Sequence, residues 1–217
     1  MGYDVSKTTR QSPPLDLNAG YDDSTLRGRT ILITGGASGI GAAFAQRWAT
    51  CGACVVIGDV NKDGGKVTIE LIRKETGNAN VHYLYCDVTN WQSQVDFFHE
   101  AIKLSPTGGI DAVVANAGIF DKRPVITEPV GLDADEPQAP NLSCIDVCLI
   151  GALYTTHLAL FYLPRNPKSL AADPNRKPAV GAPDRHLLLI GSVASFSPLA
   201  AIPLYGTAKH GVLGLFR

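Results

Sequence analysis

The chain has 217 residues, of which 45% are hydrophobic and 18% charged, and its formal net charge is −1. This length and composition are typical of one globular domain. A nearly neutral charge with scattered basic residues argues against binding to nucleic acid or to an anionic membrane surface. We expect no apolar run long enough to span a membrane, and the first residues lack the apolar core of a signal peptide. The sequence therefore predicts a soluble protein of the cytoplasm.

The five cysteines do not have the spacing of a metal site or a disulfide framework. Cys51 and Cys54 form a CxxC pair, but no second pair and no histidine cluster accompanies it. Most of the five lie in apolar runs, as small buried hydrophobic residues do in a reducing compartment. We expect no metal site, and zinc or redox chemistry at the CxxC pair is the less favoured alternative.

Short apolar runs alternate with helical patterns after a polar segment rich in Pro, Ser, Thr and Asp. That segment, residues 1–28, is predicted to be a flexible N-terminal arm. Strands are predicted at 29–34, 53–59, 81–86, 110–115 and 186–190. Helices are predicted at 42–51, 62–76, 91–104, 141–163 and from 203 onward, with proline-rich loops at 120–140 and 164–185. Apolar strands alternating with helices predict one α/β domain over 29–217, a doubly wound parallel sheet covered on both faces.

A glycine-rich turn, TGGASGIG, joins the first strand to the first helix. Glycine lets the backbone turn tightly and approach a ligand, and the unpaired N–H groups of a first helical turn attract an anion. The spacing is neither GxGxxG nor a P-loop, because no Gly-Lys-Ser/Thr follows. We expect the turn to bind the pyrophosphate of a dinucleotide, the alternative being a purely structural turn. The residues concerned are Thr34, Gly35, Ser38, Gly39, Ile40 and Gly41.

Two carboxylates follow the second and third strands. Asp59 could accept both hydroxyls of an adenosine ribose and repel a 2′-phosphate. Ser38 and Val60 occupy the places where Arg or Lys would bind that phosphate, so NAD is favoured over NADP. Asp87, with Val88 beside it, could bind the adenine amino group. Each carboxylate could instead cap a turn.

These residues and three later motifs resemble the short-chain dehydrogenase/reductase family, from about residue 28 onward. The glycine turn is similar to the family's TGxxxGxG motif. Asn116, Ala117 and Gly118 match its NAG motif, which in the family packs the central strand beside the cofactor. Ser192 falls where the family's catalytic serine lies, and Tyr205 and Lys209 match its YxxxK. The last stretch also resembles NAD-dependent alcohol dehydrogenases related to 15-hydroxyprostaglandin dehydrogenase, including fungal members that act on polyketide or terpenoid alcohols.

The residues themselves support a Ser-Tyr-Lys mechanism. Tyr205 and Lys209, four residues apart, would share one helix face. A free phenol has a pKa of about 10, and a nearby ammonium and the positive nicotinamide favour its phenolate form. Tyr205 would then accept the hydroxyl proton of an alcohol while hydride moves to NAD, and Ser192 would hold the substrate oxygen. The plain alternative is a helix start with a half-buried tyrosine and a solvated lysine.

Two further expectations concern the substrate and the lysine. The segments after Gly118, after Ser192 and before Tyr205 are predicted to form the substrate pocket. Phe196, Leu199 and Ile202 in them are apolar, which favours a hydrophobic secondary alcohol or ketone. Lys209 would also hold the hydroxyls of the nicotinamide ribose, as the resemblance implies.

The long fourth helix departs from the family's pattern. Many members carry an asparagine in a VNxxG context, where it supports a water chain to the lysine, and this chain has Cys148 there. A thiol is a weaker hydrogen-bond partner than an amide. We therefore expect Cys148 to keep the backbone role and lose the side-chain role. A packed, buried cysteine with no such role is the alternative.

The resemblance implies a Rossmann-type sheet with strand order 3-2-1-4-5, a small-molecule substrate and a homo-oligomer. It also implies a sixth strand, a Pro-Gly segment, a substrate lid and a seventh strand after the YxxxK helix, so we expect a C-terminally truncated chain. Two hypotheses follow. The first is an NAD-dependent dehydrogenase of secondary alcohols, and the second is a catalytically impaired nucleotide-binding fragment of one.

Overall fold

Five parallel strands form the centre of the chain. In the computed structural model, which describes residues 22–121, 135–136, 139–168 and 185–216, the sheet order is β3-β2-β1-β4-β5. The strands are β1 (Thr30–Thr34), β2 (Cys54–Asp59), β3 (Val81–Tyr85), β4 (Ala112–Ala115) and β5 (His186–Leu189). Every neighbouring pair is parallel. The Rossmann-type sheet and its order, 3-2-1-4-5, are confirmed.

Helices cover both faces of this sheet. They are α1 (Gly39–Thr50), α2 (Lys62–Thr76), α3 (Trp91–Leu104), α4 (Ser143–Ile145), α5 (Gly151–Tyr162) and α6 (Pro203–Phe216). Successive residues of β1 point to opposite faces. Leu32 enters one core cluster with Phe97 and Phe98, whereas Ile31 and Ile33 enter the other. A strand buried on both faces must be apolar throughout, which is why β1 reads as an uninterrupted apolar run.

The predicted boundaries hold best where a polar side chain caps the helix. Asn61 and Asn90 accept hydrogen bonds from Gly64 N and Ser93 N, and α2 and α3 begin where they were predicted. Helix α1 begins at Gly39 rather than at residue 42, because the glycine-rich stretch contributes the first helical turn. Most of the predicted arm and of the two proline-rich loops lies outside the described residues. Within the arm, Asp23–Leu26 forms a short 3-10 helix.

The long fourth helix corrects one expectation. The helical stretch Ser143–Arg165 is long and apolar enough, by length and composition alone, to cross a membrane, whereas we expected no such run. Its apolar character matches its packing, because Leu158, Ala159 and Leu163 enter the core cluster beside α3 and the sheet. The stretch is also not uniform. A π-helical segment, Asp146–Ile150, joins α4 to α5, and Leu163–Arg165 ends as a 3-10 turn.

A buried glutamine joins the turn after β3 to the start of α5. Gln94 is fully buried, and its Nε2 donates to Val88 O at 2.7 Å and to Gly151 O at 3.0 Å. Its Oε1 accepts a hydrogen bond from the Thr155 hydroxyl at 2.8 Å. Because a buried polar group without a partner is costly, this side chain fixes the position of the backbone at Val88.

We expect Gln94→Leu to lower the free energy of unfolding by about 3 kcal/mol, since it removes the partners of buried polar groups that each cost about 1–3 kcal/mol. Urea unfolding measures the difference. Gln92→Leu is the matched control, because Gln92 is exposed and bonds only Asp96 among the described residues, so it should change stability by less than about 0.5 kcal/mol. Equal losses in the two variants would contradict the assignment.

Candidate active site

The glycine turn is shaped by contacts that no larger residue would allow. Gly35 has a φ of 69°, and a Cβ there would lie 2.7 Å from Ala117 Cα. A Cβ on Gly41 would lie 2.3 Å from Gly35 O. Gly39, with a φ of 57°, faces open space, since no atom lies within 4 Å of a Cβ placed on it. The first two positions therefore need glycine for close packing, and the third leaves room in front of the helix.

The amino end of α1 faces the open space beside Gly39. Ser38 is its N-cap residue, but the Ser38 side chain makes no capping hydrogen bond. Ser38, Gly39 and Ile40 are all exposed. The N–H groups of a first helical turn have no partner within the helix and carry a partial positive charge. This end of α1 is thus suited to an anion such as a pyrophosphate.

Thr34 and Asn116 fix the glycine turn through hydrogen bonds. Asn116 Nδ2 donates to Thr34 O and to Gly35 O, both at 3.0 Å. The Thr34 hydroxyl accepts from Asn116 N at 3.1 Å and from Ala117 N at 3.2 Å, and donates to Val114 O. The ends of β1 and β4 are therefore cross-linked by side chains from two of the motifs found in the sequence.

A cavity of about 130 Å³ lies at the carboxyl ends of β1, β2, β3 and β4. It brings together six of the residues predicted to bind the cofactor: Gly35, Asp59, Asp87, Val88, Ala117 and Gly118. The cavity is also lined by Val60, which was placed beside the ribose, and by Ile119, in the segment after Gly118 that was predicted to form the pocket. Two further lining residues, Cys86 and Val147, were not predicted. Ligands of open parallel sheets bind in this kind of crevice.

The two carboxylates of the cavity also stabilise their own turns. Asp59 accepts hydrogen bonds from Ala37 N at 3.0 Å and from Asn61 N at 2.9 Å, so it joins the glycine turn to the start of α2. Asp87 accepts from the Thr89 amide and hydroxyl, at 2.9 and 2.7 Å. Both residues therefore line the cavity and cap turns, and the two interpretations of each are compatible.

The three predicted catalytic residues lie on two elements in contact. Helix α6 carries Tyr205 and Lys209 and packs against the 3-10 turn Val193–Ser195. Ser192 caps this turn, with its hydroxyl accepting from Ala194 N at 3.1 Å, while the Ser195 hydroxyl accepts from Ser192 N. The Lys209 ammonium lies 5.6 Å from the centroid of the Tyr205 ring.

Lys209 is buried rather than solvated. Its residue is 4% exposed, and its Nζ donates to Ile190 O at 2.6 Å. Burial lowers the pKa of Lys209, while the neighbouring thiols of Cys148 and Cys144 act in the opposite direction. A lysine is seldom fully buried unless its ammonium has a partner, because desolvation disfavours the charged form. The plain alternative of a solvated lysine on α6 is therefore wrong.

Cys148 makes side-chain hydrogen bonds that we did not expect. Its Sγ accepts from Ile119 N at 3.3 Å and donates to Ile119 O at 3.2 Å. Cys144 Sγ also donates to Ile119 O, at 3.3 Å. Cys148 lies in the π-helical segment, a feature that is frequent at functional sites. The thiols therefore fix the backbone that follows β4, a role different from the water chain to the lysine, whose loss at Cys148 stays a prediction.

Two residues missed in the sequence contact Tyr205. The Phe120 ring lies 4.7 Å from the Tyr205 ring at an angle of 46°. Asp121 accepts hydrogen bonds from Leu204 N at 3.0 Å and Tyr205 N at 2.9 Å. The sequence contained one indication of Asp121: no Ser, Thr, Asp or Asn directly precedes Pro203, so a residue from elsewhere had to cap α6.

The geometry is thus a Rossmann-type sheet with a cavity at its strand ends and a helix that carries Tyr205 and the buried Lys209. The family model for short chain dehydrogenase matches residues 29–172. The chain therefore belongs to the short-chain dehydrogenase family.

Several curated proteins are similar to it. A 5′-hydroxyaverantin dehydrogenase from Dothistroma septosporum is 36% identical over 93% of this chain, and one from Emericella nidulans is 35% identical over 94%. The chain spans 64% of the length of each. An NADP-dependent dehydrogenase M3 from a Phoma species is 33% identical over 96% of this chain and 58% of its own length. Among solved structures, levodione reductase matches with a TM-score of 0.70 and 24% identity, over 88% of this chain and 65% of that one.

The burial of Lys209 predicts a pH-dependent stability. Lys209→Met replaces a buried ammonium by an apolar chain of similar length. The pKa of Lys209 is lower in the folded parent than in the unfolded one, where it is 10.5. Between these two pKa values the unfolded parent binds more protons than the folded parent. The stability of the parent therefore rises as the pH increases toward 10.5. Methionine does not titrate. We therefore expect the stability of the variant relative to the parent to be greatest near neutral pH and to fall as the pH approaches 10.5.

Urea unfolding across that pH range tests this expectation. Lys103→Met is the control, because Lys103 is exposed and should give a difference from the parent that does not follow this trend. A Lys209→Met difference that is constant or grows with pH would refute the role of burial.

Proposed function

We propose that this chain carries the cofactor site and catalytic residues of an NAD-dependent dehydrogenase that oxidises a hydrophobic secondary alcohol. The observation that carries the proposal is the buried Lys209, whose ammonium lies 5.6 Å from the Tyr205 ring on a helix packed against the Ser192 turn. A buried ammonium beside a phenol is the arrangement that a proton-accepting tyrosine needs, since the positive charge stabilises the phenolate.

The described residues fit a nicotinamide dinucleotide. The cavity at the strand ends is lined by Asp59 and Asp87, and the amino end of α1 faces open space beside Gly39. Gly35, Ser38, Gly39, Ile40 and Gly41 would approach the pyrophosphate, with Thr34 and Asn116 holding the turn. Asp59 would bind the adenosine ribose, Asp87 and Val88 would bind the adenine, and Ala117 and Gly118 would lie beside the cofactor at the end of β4. When bound, the cofactor supplies the acceptor for the hydride.

The remaining chemistry belongs to the side chains of α6 and of the Ser192 turn. The Ser192 hydroxyl would hold the substrate oxygen, which fixes its distance from Tyr205. As the alcohol C–H bond breaks and the C=O bond forms, the Tyr205 oxygen receives the hydroxyl proton. Lys209, now bonded to Ile190 O, would also reach the hydroxyls of the nicotinamide ribose. In the reductive direction, Tyr205 returns the proton to the substrate oxygen.

The choice of NAD over NADP rests on Asp59. Its carboxylate lines the cavity, and Val60 beside it is 56% exposed and carries no charge to bind a 2′-phosphate. Two relatives, the M3 protein and a Cochliobolus lunatus dehydrogenase that is 32% identical, are named NADP-dependent, which argues in the other direction. The negative charge at Asp59 is the stronger argument, because it would lie against the 2′-position itself.

The substrate class rests on exposed apolar side chains, of which Phe120 contacts Tyr205 and Phe196 and Leu199 lie between Ser192 and Tyr205 in sequence. Phe120 and Phe196 are 63% and 71% exposed, and Leu199 is 36% exposed. Such side chains favour an apolar substrate. The two relatives named after 5′-hydroxyaverantin make that alcohol the first compound to assay. The expected homo-oligomer and the cytoplasmic location stay predictions.

Asp59→Asn tests the cofactor preference. The amide removes the charge and keeps an oxygen that can accept one of the two backbone bonds, so the glycine turn should persist. We expect the ratio of NADPH to NADH dissociation constants to fall by about tenfold or more, measured by quenching of cofactor fluorescence. Asp63→Asn is the control, because it removes an exposed charge from the same end of α2. If both variants keep the ratio of the parent, Asp59 does not select the cofactor.

Tyr205→Phe tests the chemistry. We expect kcat for 5′-hydroxyaverantin, or for the best alcohol of a hydrophobic panel, to fall by about a thousandfold, since general acid–base catalysis contributes about 10²–10⁴. The dissociation constant of NADH should change by less than about twofold. Tyr162→Phe, on α5, should match the parent. Undiminished turnover in Tyr205→Phe would refute the mechanism, and NADH binding without turnover in the parent would favour the fragment hypothesis.

A further inference from the structure

The first turn of α6 is capped by a residue distant in sequence. Pro203 begins the helix and has no N–H group, and Gly206 N bonds Ile202 O at 3.0 Å. The two donors between them, Leu204 N and Tyr205 N, both reach the carboxylate of Asp121, at 3.0 and 2.9 Å. Asp121 thus satisfies the N–H groups that the helix itself leaves open, and one of them belongs to the tyrosine of the proposed reaction.

No neighbouring side chain can take this role. Ala201 and Ile202, which precede the helix, have no acceptor atom in their side chains. A carboxylate also complements the positive end of the helix, and its bonds to N–H groups are stronger than those of a neutral oxygen. The position of the first turn of α6 therefore depends on the position of Asp121.

Asp121 is held in turn by a fixed segment. Ile119, two residues earlier, has both backbone groups bonded to Cys148 Sγ, and its carbonyl also accepts from Cys144 Sγ. Between Ile119 and Asp121, the Phe120 ring packs against the Tyr205 ring. Residues 119–121 therefore contact both the backbone and the ring of Tyr205. The π-helical segment fixes the start of this stretch through its bonds to Ile119.

We propose that Asp121 is a positioning residue that fixes the Tyr205 oxygen at its distance from the substrate. The inference rests on the proposed function of Tyr205. Without the carboxylate, the first turn of α6 would loosen and its tyrosine would move relative to Ser192. A displacement of about 1 Å at a catalytic group can lower the rate about 10²-fold. Cofactor binding at the strand ends would be little affected.

Asp121→Ala and Asp121→Asn test the proposal, with Asp22→Ala as the control. Asp22 also caps a helix through its carboxylate, but at the 3-10 helix Asp23–Leu26, which is outside the proposed site. Hydrogen exchange followed by mass spectrometry reports the amides of residues 204–210. We expect Asp121→Ala to speed their exchange by about tenfold or more. Asp121→Asn should have a smaller effect, since its oxygen retains one bond, and Asp22→Ala should have none.

The kinetic test separates positioning from plain stability. We expect Asp121→Ala to lower kcat by about tenfold or more, with the KM for NAD and the dissociation constant of NADH within about twofold of the parent. In a Tyr205→Phe background, Asp121→Ala should still speed exchange but should lower the residual turnover no further. Such non-additivity would show that Asp121 affects the rate through Tyr205.

The outcomes distinguish the two proposals. Unchanged exchange or unchanged kcat in Asp121→Ala, with an inactive Tyr205→Phe, would overturn the role of Asp121 alone. An equal loss of kcat in the parent and Tyr205→Phe backgrounds would also overturn it, because the loss would then be structural. Full turnover in Tyr205→Phe would refute the proposed function and this inference with it.

Discussion

The site depends on the cross-link between the carboxyl ends of β1 and β4. These strands are the centre of the sheet, and the chain leaves them toward opposite sides, which opens a crevice between their ends. A crevice alone would leave several backbone groups without partners. Thr34 and Asn116 satisfy them, so that the glycine turn and the segment after β4 become one rigid unit. The cavity, the open end of α1 and the segment that leads to Asp121 all extend from this unit.

Lys209 shows how the fold accommodates an unfavourable group. Its ammonium is buried against Ile190 O and two thiols, where desolvation disfavours the charge. A natural sequence keeps such a residue when function needs it, and the surrounding packing offsets the loss of stability. The apolar clusters on both faces of the sheet are the source of that stability.

Local patterns explain why much of this could be predicted from the sequence. The strands and helices follow from hydrophobic periodicity, and α2 and α3 begin where an asparagine caps them. Six residues of the cavity could be predicted because they lie at or just after the ends of strands, where parallel strands converge. Helix α1 was predicted to begin at residue 42 because its apolar periodicity starts only after the glycine-rich stretch, whereas the helix begins at Gly39.

Long-range contacts explain what the sequence could not reveal. Asp121 is separated from Tyr205 by 84 residues, and nothing near either residue identifies the other. The bonds from Cys148 to Ile119 depend on the exact path of a loop and on a π-helical segment that has no recognised sequence pattern here. The depth of Lys209 likewise follows from how α6 meets β5, which only the assembled fold determines.

The π-helical segment lets one stretch of helix serve two surfaces. One extra residue in a helix advances its face by about 100°, because an α-helix has about 3.6 residues per turn. Before the extra residue, Cys144 faces the segment after β4, and beyond it Leu158 and Ala159 face the sheet. A continuous α-helix over the same residues would hold these two surfaces at a different angle about its axis, so it could not keep both the packing on the sheet and the hold on Ile119.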